Sequence, residues 1–319
     1  MQEKTVAILL ATYQPREDWL IQLLKSLNSQ SYSRIKLYVR DDASPTYPID
    51  RLEQLLRTYI TAFPFVLLQN QQNQGSNATF ATLVEDCEED YIAFCDQDDV
   101  WDEKKIENTL RLLLESPLHP TLVCTNVRVI DGEGASIAPT MEEHRRRHVY
   151  LRGKGLAPTL IYRNFVMGCT VMMERARALS YLPFPAEAVH DHYLAFRAAA
   201  DGAIDYLAEP QMQYRVYGGN QTGVMTGVET KKDYYDRRIL VFEARLQAFG
   251  QQVSLPAVES AAAWSQARIN NFHRKKGSFA ALYRLRGVNP STTWFELLAL
   301  RAPCPLFRLA LRLIKKGAL

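Results

Sequence analysis

The first half of the chain alternates short apolar runs with longer segments of helical periodicity, and this alternation restricts the fold more than any other feature. The first run, residues 5–11, is continuously apolar, which is typical of a strand buried on both faces of a sheet. Short connections join it to the strand-type and helical segments that follow. This order predicts an α/β fold with a mostly parallel sheet, flanked by helices and joined by right-handed crossovers.

The predicted elements can be placed along the chain. Residues 132–160 break the alternation, and we interpret them as a long loop or flap that contains a basic run, residues 144–148. Short strands and a helix near 191–201 follow, and helical patterns continue from about residue 229, with breaks near Pro256, Gly277, Pro290 and Pro303. We therefore predict an α/β domain over residues 1–225 and a helical C-terminal region over residues 226–319. In the first half, strands are expected at 5–11, 35–40, 65–69, 91–95 and 121–126, and helices at 18–30, 49–62, 77–87 and 103–115.

Polar and acidic residues follow four of the predicted strands. Because ligands of parallel α/β sheets bind at the carboxyl ends of the strands, these residues predict a ligand site along one edge of the sheet. In chain order they are Thr12 and Tyr13, Asp41 and Asp42, Asn73 and Gly75, and Asp96-Gln97-Asp98-Asp99.

The acidic turn at 96–99 is the strongest of these signals. Closely spaced carboxylates at the tip of a strand form an oxygen-rich site of the kind that Mg²⁺ or Mn²⁺ prefers. A cation held by Asp96 and Asp98 would neutralise a departing diphosphate. The alternative is a solvated acidic turn, with Asp102 as the N-cap of the next helix. The spacing from Asp98 to Asp102 also fits the aspartate-rich motif of isoprenoid synthases, but that motif lies in an all-helical fold.

Asp41 and Asp42 could accept hydrogen bonds from a pyrimidine N–H and from ribose hydroxyls, although a capped turn explains them as well. Asn73 and Gly75 suit a left-handed turn into a helix, with or without a ligand. The first strand is not followed by a GxGxxG sequence, and the chain contains no P-loop sequence. Nicotinamide enzymes and P-loop nucleotide enzymes are therefore disfavoured.

Two further segments carry chemistry. In His190-Asp191-His192 the carboxylate could act as general base toward a hydroxyl, and the alternatives are a helix N-cap or a weak metal site. In residues 214–223 a strand ends in a Gly-rich stretch that could close over a diphosphate, with Arg215 as the partner of the anion. The alternative there is an ordinary loop.

Together these motifs resemble the family 2 glycosyltransferases with the GT-A fold, and they are most similar to bacterial rhamnosyltransferases of cell-surface polysaccharide synthesis. The resemblance covers residues 5 to about 225. The matching stretches are ATYQP at 11–15, RDDAS at 40–44, NQGSNATF at 73–80, FCDQDDVW at 94–101, NFVMGCT at 164–170, HDHYL at 190–194 and YRVYGGNQTG at 214–223.

The resemblance implies an inverting, metal-dependent transferase in which Asp191 deprotonates the acceptor and Asp98, with Asp96, binds Mg²⁺ or Mn²⁺. The donor it suggests is dTDP-L-rhamnose, but enzymes that use UDP-hexoses share every motif. One departure is Tyr217, where the family often has a His that helps to bind the metal or diphosphate. The implied nucleotide-sugar contacts are Thr12, Tyr13, Asp41, Asp42, Asn73, Gly75, Asp96 and Arg215, and the implied sugar and acceptor pocket is Asp99, Trp101, Gly168, Cys169, Thr170, His190 and His192.

Cysteine usage and hydropathy indicate the compartment. The five cysteines have no metal-ligand spacing and are expected to be reduced, buried thiols. No apolar run reaches 18 residues, and Val6–Ala11 is too short for a signal-peptide core. We therefore expect a cytoplasmic protein.

The C-terminal segment is basic and amphipathic, with ten Lys or Arg against one acid between Arg274 and Leu319. Large apolar side chains between the basic residues fit a helix at the surface of an anionic membrane, which places the protein at the inner face of the plasma membrane. A saccharide or polyprenyl-diphosphate-linked acceptor would lie there, and Arg145–Arg147 would meet its diphosphate. The alternative is packing on the catalytic domain or on a second subunit, as in a homodimer.

Two other classes of function are disfavoured. Nucleic-acid binding is not expected, because leucines rather than aromatic stacking platforms separate the basic residues. A non-catalytic membrane scaffold that keeps the fold is an alternative from another class, but the acids at positions 41, 42, 96, 98 and 191 argue against it.

Overall fold

A computed structural model describes residues 4–145, 148–218 and 227–315. The chain forms two compact units, Met1–Tyr217 and Gly218–Leu319.

The N-terminal part of the first unit confirms the predicted alternation of strands and helices. Four strands lie in the order β3-β2-β1-β4, and all three of their pairings are parallel. The apolar residues of β1 from Val6 to Leu10 are fully buried, as expected for a strand covered on both faces. The elements are β1 (Val6–Thr12), α1 (Glu17–Asn28), β2 (Ile35–Asp41), α2 (Ile49–Tyr59), β3 (Phe65–Gln69), α3 (Ser76–Asp86) and β4 (Tyr91–Cys95).

The rest of the first unit contains more regular structure than its sequence predicts. The segment interpreted as a long loop, residues 132–160, contains two short strands and two short helices. The region after residue 165 ends in a strand of 13 residues rather than in short strands only. The elements are β5 (Val100–Trp101), α4 (Lys105–Glu115), β6 (Leu122–Ile130), β7 (Ser136–Ala138), α5 (Met141–His144), β8 (Gly153–Lys154), α6 (Ala157–Tyr162), a 3₁₀ turn (Gly168–Thr170), β9 (Met172–Glu174), α7 (Arg175–Ser180), α8 (His190–Asp201) and β10 (Ala203–Arg215).

The sheet is mostly parallel, as predicted, and short antiparallel strands make it mixed. Its strand order is β3-β2-β1-β4-β9-β6-β10-β5, with β7 on β6 and β8 on β10. The short strand β9 is antiparallel to both β4 and β6, and β10 is parallel to β6 but antiparallel to β5. The parallel first half and the flanking helices confirm the α/β class.

The second unit is helical, as predicted. Two of the predicted breaks, Pro256 and Pro290, are the first residues of helices, where proline costs no hydrogen bond. Arg268 and Glu296 form a buried ion pair, and the Tyr234 hydroxyl donates to the same carboxylate. The elements are α9 (Lys231–Tyr234), a π-helical turn (Tyr235–Leu240), α10 (Val241–Gln252), α11 (Pro256–Phe272), α12 (Ser278–Arg284), α13 (Pro290–Ala299) and α14 (Cys304–Lys315).

The described parts of the chain contain no helix with the length and hydropathy needed to cross a bilayer. All five cysteines are free thiols, and Cys304 is exposed whereas the other four are buried.

Candidate active site

The carboxyl ends of β1, β2 and β4 meet at one edge of the sheet. Thr12 pairs with Asp41 across β1 and β2, and Leu10 pairs with Cys95 across β1 and β4. This register places the turn after β4 beside the turns after β1 and β2. The polar residues predicted to share an edge therefore do so.

Asp41 lies at this edge as a buried carboxylate whose oxygens accept from four protein donors. These are the hydroxyls of Thr12 (3.2 Å) and Ser44 (2.6 Å), the Ser44 N–H (2.8 Å) and the Gln69 amide (3.3 Å). A carboxylate with this many donors fixes the turn after β2. Its predicted contact with a nucleoside stays a prediction.

Asp42 fixes the turn before α3 in the same way that Asp41 fixes the turn after β2. It accepts from the backbone N–H groups of Gln74 and Gly75, each at 2.8 Å, and from the Asn70 amide at 2.7 Å. Gly75 has a φ of 82°, in the left-handed region that favours glycine. The carboxylate and the glycine together set the entry into α3.

Tyr13 and Asn73 are the two exposed side chains among the predicted nucleoside contacts. The backbone of Tyr13 is held by Gln97, whose amide accepts from the Tyr13 N–H at 2.8 Å and donates to the Tyr13 carbonyl at 3.0 Å. The acidic turn after β4 is thus tied to the turn after β1. Tyr13 offers the open ring surface at this corner.

The acidic turn concentrates negative charge. Burial raises the pKa of Asp96 to about 7, with further contributions from Asp98 and Asp191. Burial also raises the pKa of Asp98, and it raises that of the fully buried Asp99 well above its usual range. Charge crowding of this kind is typical of functional sites, because burial and like charges are otherwise costly.

Asp96, one of the two predicted metal ligands, lies beside two further groups that could bind a cation. A carboxylate oxygen of Asp96, one of Asp99 and the Cys169 sulfur lie within 4.8 Å of one another. The Asp98 carboxylate hydrogen bonds with the Tyr217 hydroxyl, and its predicted role as a metal ligand stays a prediction. Oxygen donors dominate the acidic turn, and its carboxylates repel one another, so the residues fit a hard divalent cation such as Mg²⁺ or Mn²⁺.

Lys105 is a residue of this site that the sequence pattern does not reveal. It is buried at the start of α4, where its Nζ donates to the Cys169 carbonyl at 2.6 Å and lies 3.4 Å from the centroid of the Trp101 ring. Burial lowers its pKa to about 8, and Cys169, Cys95, Asp99 and Asp96 counteract this. Next to Lys104 in the sequence it looks like a solvated surface charge, so only long-range packing identifies it.

Asp102 differs from its predicted role as a helix N-cap. Its carboxylate pairs with Arg128 of β6, and α4 begins after Lys104 without a side-chain cap. The Asp102 carbonyl accepts from the Lys105 N–H at 3.0 Å instead. A partner 26 residues away in the chain has replaced the local interaction that the pattern suggested.

Arg215 has a structural environment that differs from the expected contact with a diphosphate. It is the last residue of β10, is 1% exposed, and donates through Nε to the Asp98 carbonyl at 2.8 Å. Its other nitrogens donate to the carbonyls of Asp131 and Gly132 and to Gln22. The guanidinium therefore stabilises the backbone of the acidic turn.

Asp191 is a half-buried carboxylate in the first turn of α8. Oδ2 accepts from the Gly168 N–H and Oδ1 from the Asn164 amide, both at 3.1 Å. Burial raises its pKa to about 6, against the effect of these hydrogen bonds. Its charge contributes to the raised pKa of Asp96, so the two carboxylates lie near each other.

Gly168 allows the close approach that orients Asp191. A Cβ on Gly168 would lie 2.8 Å from His190 Nε2 and 3.5 Å from the Asp191 Cβ. The His190 ring packs on Phe80 and Phe94, with centroids at 4.4 and 5.4 Å, so it has little room to move. The 3₁₀ turn and the start of α8 therefore need glycine at this position.

The histidines on either side of Asp191 belong to the interior. Burial lowers the pKa of His190 to about 4, which keeps its ring neutral. His192 Nε2 donates to the Leu160 carbonyl at 2.5 Å. Trp101, Cys169 and Thr170 are also buried. These predicted pocket residues support the wall behind the carboxylates, and direct contacts with a sugar stay a prediction.

Asn77 is a second residue whose role becomes visible only in the structure. It lies in α3, yet its Oδ1 accepts from the His190 N–H at 2.9 Å and its Nδ2 donates to the carbonyls of Pro185 and Ala188. The backbone N–H at the start of α8 thus receives its cap from another helix. This tie fixes the position of Asp191 against the sheet.

Two predicted features lie outside the described residues. They are Arg146 and Arg147 of the basic run and residues 219–226, which include most of the Gly-rich stretch.

Comparison with known proteins identifies one family. The profile described as Glycosyl transferase family 2 matches residues 7–177, more than half of the chain. The chain is 30% identical over 186 residues to "Uncharacterized protein Rv1520" of Mycobacterium tuberculosis (strain ATCC 25618 / H37Rv), covering 57% of this chain but about half (50%) of that protein's length. It is 23% identical over 235 residues to "dTDP-rhamnosyl transferase RfbG" of Shigella flexneri, covering 70% of this chain and 76% of that protein.

Solved structures share the fold. S. aureus TarS 1-349, in complex with UDP-GlcNAc, has a TM-score of 0.61 at 16% identity, over 98% of this chain and 92% of that one. The mannosyltransferase PcManGT from Pyrobaculum calidifontis, in complex with GDP-Man and Mn2+, has a TM-score of 0.58 at 15% identity, over 99% and 86%. At such low identities the likeness establishes the GT-A-type fold and nothing about the substrate.

Proposed function

Because the chain belongs to glycosyl transferase family 2, we propose that it is an inverting glycosyltransferase of surface polysaccharide synthesis. It would move a sugar from a nucleoside diphosphate to a hydroxyl of a saccharide or lipid-linked acceptor. The observation that carries the proposal is Asp191, a half-buried carboxylate that two donors hold and whose charge contributes to the raised pKa of Asp96. Its raised pKa of about 6 suits a general base that works near neutral pH.

The proposed reaction is a single displacement. Asp191 accepts the proton of the acceptor hydroxyl while the acceptor oxygen attacks the anomeric carbon from the face opposite the diphosphate. The new glycosidic bond forms as the bond to the diphosphate oxygen breaks, and the nucleoside diphosphate leaves with the electron pair. One displacement at one carbon inverts its configuration.

Asp98 and Asp96 are the residues that would hold Mg²⁺ or Mn²⁺, with Asp99 close by. The bound cation supplies neutralisation of the charge that develops on the departing diphosphate. The chain's own groups prepare the site, since Arg215 fixes the Asp98 carbonyl and Lys105 places a positive charge near Asp96 and Asp99. Tyr217, where the resembling family often has His, hydrogen bonds to Asp98.

We propose dTDP-L-rhamnose as the donor, and the named rhamnosyl transferase relative supports this choice at 23% identity. The nucleoside would lie at the corner formed by Thr12, Tyr13 and the turns that Asp41 and Asp42 hold. A UDP-hexose is the second candidate, because a structure of the same fold is in complex with UDP-GlcNAc. The acceptor, which we propose to be a saccharide or a polyprenyl-diphosphate-linked glycan, would be reached at the inner face of the plasma membrane.

The donor can be identified by its effect on thermal stability, because a ligand that binds only the folded state raises the melting temperature. The panel is dTDP-rhamnose, UDP-glucose, UDP-GlcNAc and GDP-mannose, each with Mn²⁺. We expect the largest shift with dTDP-rhamnose and a smaller one with free dTDP. A larger shift in melting temperature with a UDP-sugar would identify a UDP-hexose, rather than dTDP-rhamnose, as the donor. No shift with any nucleotide sugar would favour a non-catalytic scaffold and overturn the proposal.

A further inference from the structure

Several large apolar side chains of α12, α13 and α14 are exposed to solvent. On α12 and α13 we define an aromatic patch, consisting of Phe279, Tyr283, Trp294 and Leu298. All four side chains are exposed, and Leu298 is 67% exposed. Isolated exposed apolar residues are common, but a contiguous group of them marks an interaction site.

One ring contact connects the two helices of the aromatic patch. The rings of Tyr283 and Trp294 meet edge to face with centroids 5.8 Å apart, which connects the exposed faces of α12 and α13. The guanidinium of Arg286 lies 4.2 Å from the Tyr283 ring centroid, and that of Arg301 lies 4.9 Å from the Phe279 centroid. The patch is therefore a surface of aromatic rings bordered by cations.

A second apolar face lies on α14, where Leu306, Leu309 and Leu313 form a leucine stripe at helical spacing. The opposite side of α14 is occupied by Phe307 and Leu311, which are buried in the core of the unit. The helix thus has one apolar face that packs and another that the protein leaves in solvent. Packing alone does not require the second face.

The positive charge of this surface indicates which kind of partner it can bind. Arg308 and Arg312 are exposed beside the leucine stripe, and Arg286 and Arg301 border the aromatic patch. From Arg274 onward the sequence contains a single acid, Glu296, which is fully buried and paired with Arg268. The surface combines apolar side chains with positive charge and offers no exposed carboxylate in its described residues.

We infer that the aromatic patch and the leucine stripe together bind an anionic lipid bilayer, with the apolar side chains entering the interface and the arginines meeting lipid phosphates. Apolar insertion and electrostatic attraction to anionic lipids are the two terms that hold an interfacial helix. A second copy of this chain is the less suitable occupant, because two such surfaces would bring like charges together. The inference does not depend on the sugar-transfer reaction.

Trp294 provides a probe within the unmodified full-length chain. It is 45% exposed, whereas the other three tryptophans, Trp19, Trp101 and Trp264, are buried. Vesicles made of equal parts of phosphatidylglycerol and phosphatidylcholine should shift the fluorescence emission maximum of Trp294 to shorter wavelength. Vesicles of phosphatidylcholine alone should leave the emission maximum unchanged. Trp294→Phe should remove the shift. An unchanged wild-type spectrum with anionic vesicles would overturn the inference.

Co-sedimentation with the same vesicles tests the apolar contacts. Leu298→Glu/Leu309→Glu should lower the bound fraction at least about tenfold, because carboxylates in the interface repel anionic lipids. The matched control is Leu114→Glu on α4, a leucine of similar exposure (45%) that should keep wild-type binding. Equal losses in both variants would contradict the inference.

Light scattering without lipid measures the molar mass in solution and so tests whether a second copy of this chain covers the surface instead. We expect the wild type and Leu298→Glu/Leu309→Glu to have the same mass. A wild-type dimer that this double variant converts to a monomer, with no vesicle binding by the wild type, would assign the surface to self-association instead. Nucleotide-sugar binding should be the same in both proteins, which separates failure of this inference from failure of the proposed function.

Discussion

Asp191 is the residue whose ionisation should control the proposed reaction. Its pKa is raised to about 6 by burial, from an ordinary value of 3.8. A general base works only when deprotonated, so kcat/KM should be constant above about pH 7 and fall tenfold per pH unit below pH 6. A pH profile at saturating metal measures this. An acidic limb near pH 4 would show that burial does not tune this carboxylate, and the absence of a limb would exclude it as the base.

Gly168 should be intolerant of the smallest side chain. In Gly168→Ala the new Cβ would meet the His190 ring at 2.8 Å, so either the 3₁₀ turn or the start of α8 must move. Because displacing a catalytic group by about 1 Å can cost on the order of 100-fold, we expect kcat to fall at least tenfold. The control is Gly287→Ala, where no atom lies within 4 Å of the added Cβ. Wild-type kcat in Gly168→Ala would disprove the steric argument.

Lys105 should stabilise both the fold and the charge of the acidic turn. Lys105→Met leaves the Cys169 carbonyl without its donor, which should cost about 1–3 kcal/mol in the free energy of unfolding. It also removes a charge that lowers the pKa of Asp96, so protons should compete with Mn²⁺ up to a higher pH than in the wild type. Urea unfolding and Mn²⁺ titration measure the two effects. Lys104→Met removes an exposed charge at the adjacent position, and equal effects in the two variants would rule out a special role for Lys105.

At the scale of elements, the contact between α3 and α8 should position Asp191, the proposed general base. Asn77→Ala removes the cap of the His190 N–H, which should cost about 1 kcal/mol of stability and also lower kcat with little change in KM. Asn289→Ala is the matched control, because Asn289 caps α13 in the other unit. The control should lose similar stability and keep its kcat. Equal kcat in the two variants would mean that Asn77 is a structural cap only.

Elements were predictable where their signal is local. The strands β1 to β4 were recognisable because each is a short apolar run, and the helical breaks at Pro256 and Pro290 follow from the chemistry of proline. β9 was not recognisable, because three residues carry no periodicity. Its antiparallel insertion between β4 and β6 makes the sheet mixed.

The sequence was enough to single out the acidic residues as candidates, but it did not predict which residues contact them. Asp96, Asp98 and Asp191 stand out because strand ends and helix starts collect ligand groups. The roles of Lys105, Asn77 and Arg215 depend on contacts between residues distant in the chain. A single sequence contains no signal for such contacts. From the sequence, Lys105 therefore resembles a charge on the surface, and Arg215 a residue beside a loop that binds an anion.

At the scale of the whole molecule, the two units contain the residues of different proposed functions. Met1–Tyr217 contains the family match up to residue 177, the acidic turn and Asp191. Gly218–Leu319 contains the basic, apolar surface proposed to bind lipid. Chemistry and membrane attachment should therefore be separable by point substitutions, without truncating the chain.

Sugar transfer by this chain can be measured directly as release of the nucleoside diphosphate from the donor that binds best. The reaction contains Mn²⁺ and an acceptor extract, and a parallel reaction contains EDTA. We predict turnover that EDTA abolishes and that Asp191→Asn reduces on the order of 100-fold or more. Asp50→Asn, which changes the first-turn aspartate of α2, is the matched control and should behave like the wild type. Turnover by Asp191→Asn at the wild-type rate would contradict the assignment of the base and, with it, the proposed mechanism.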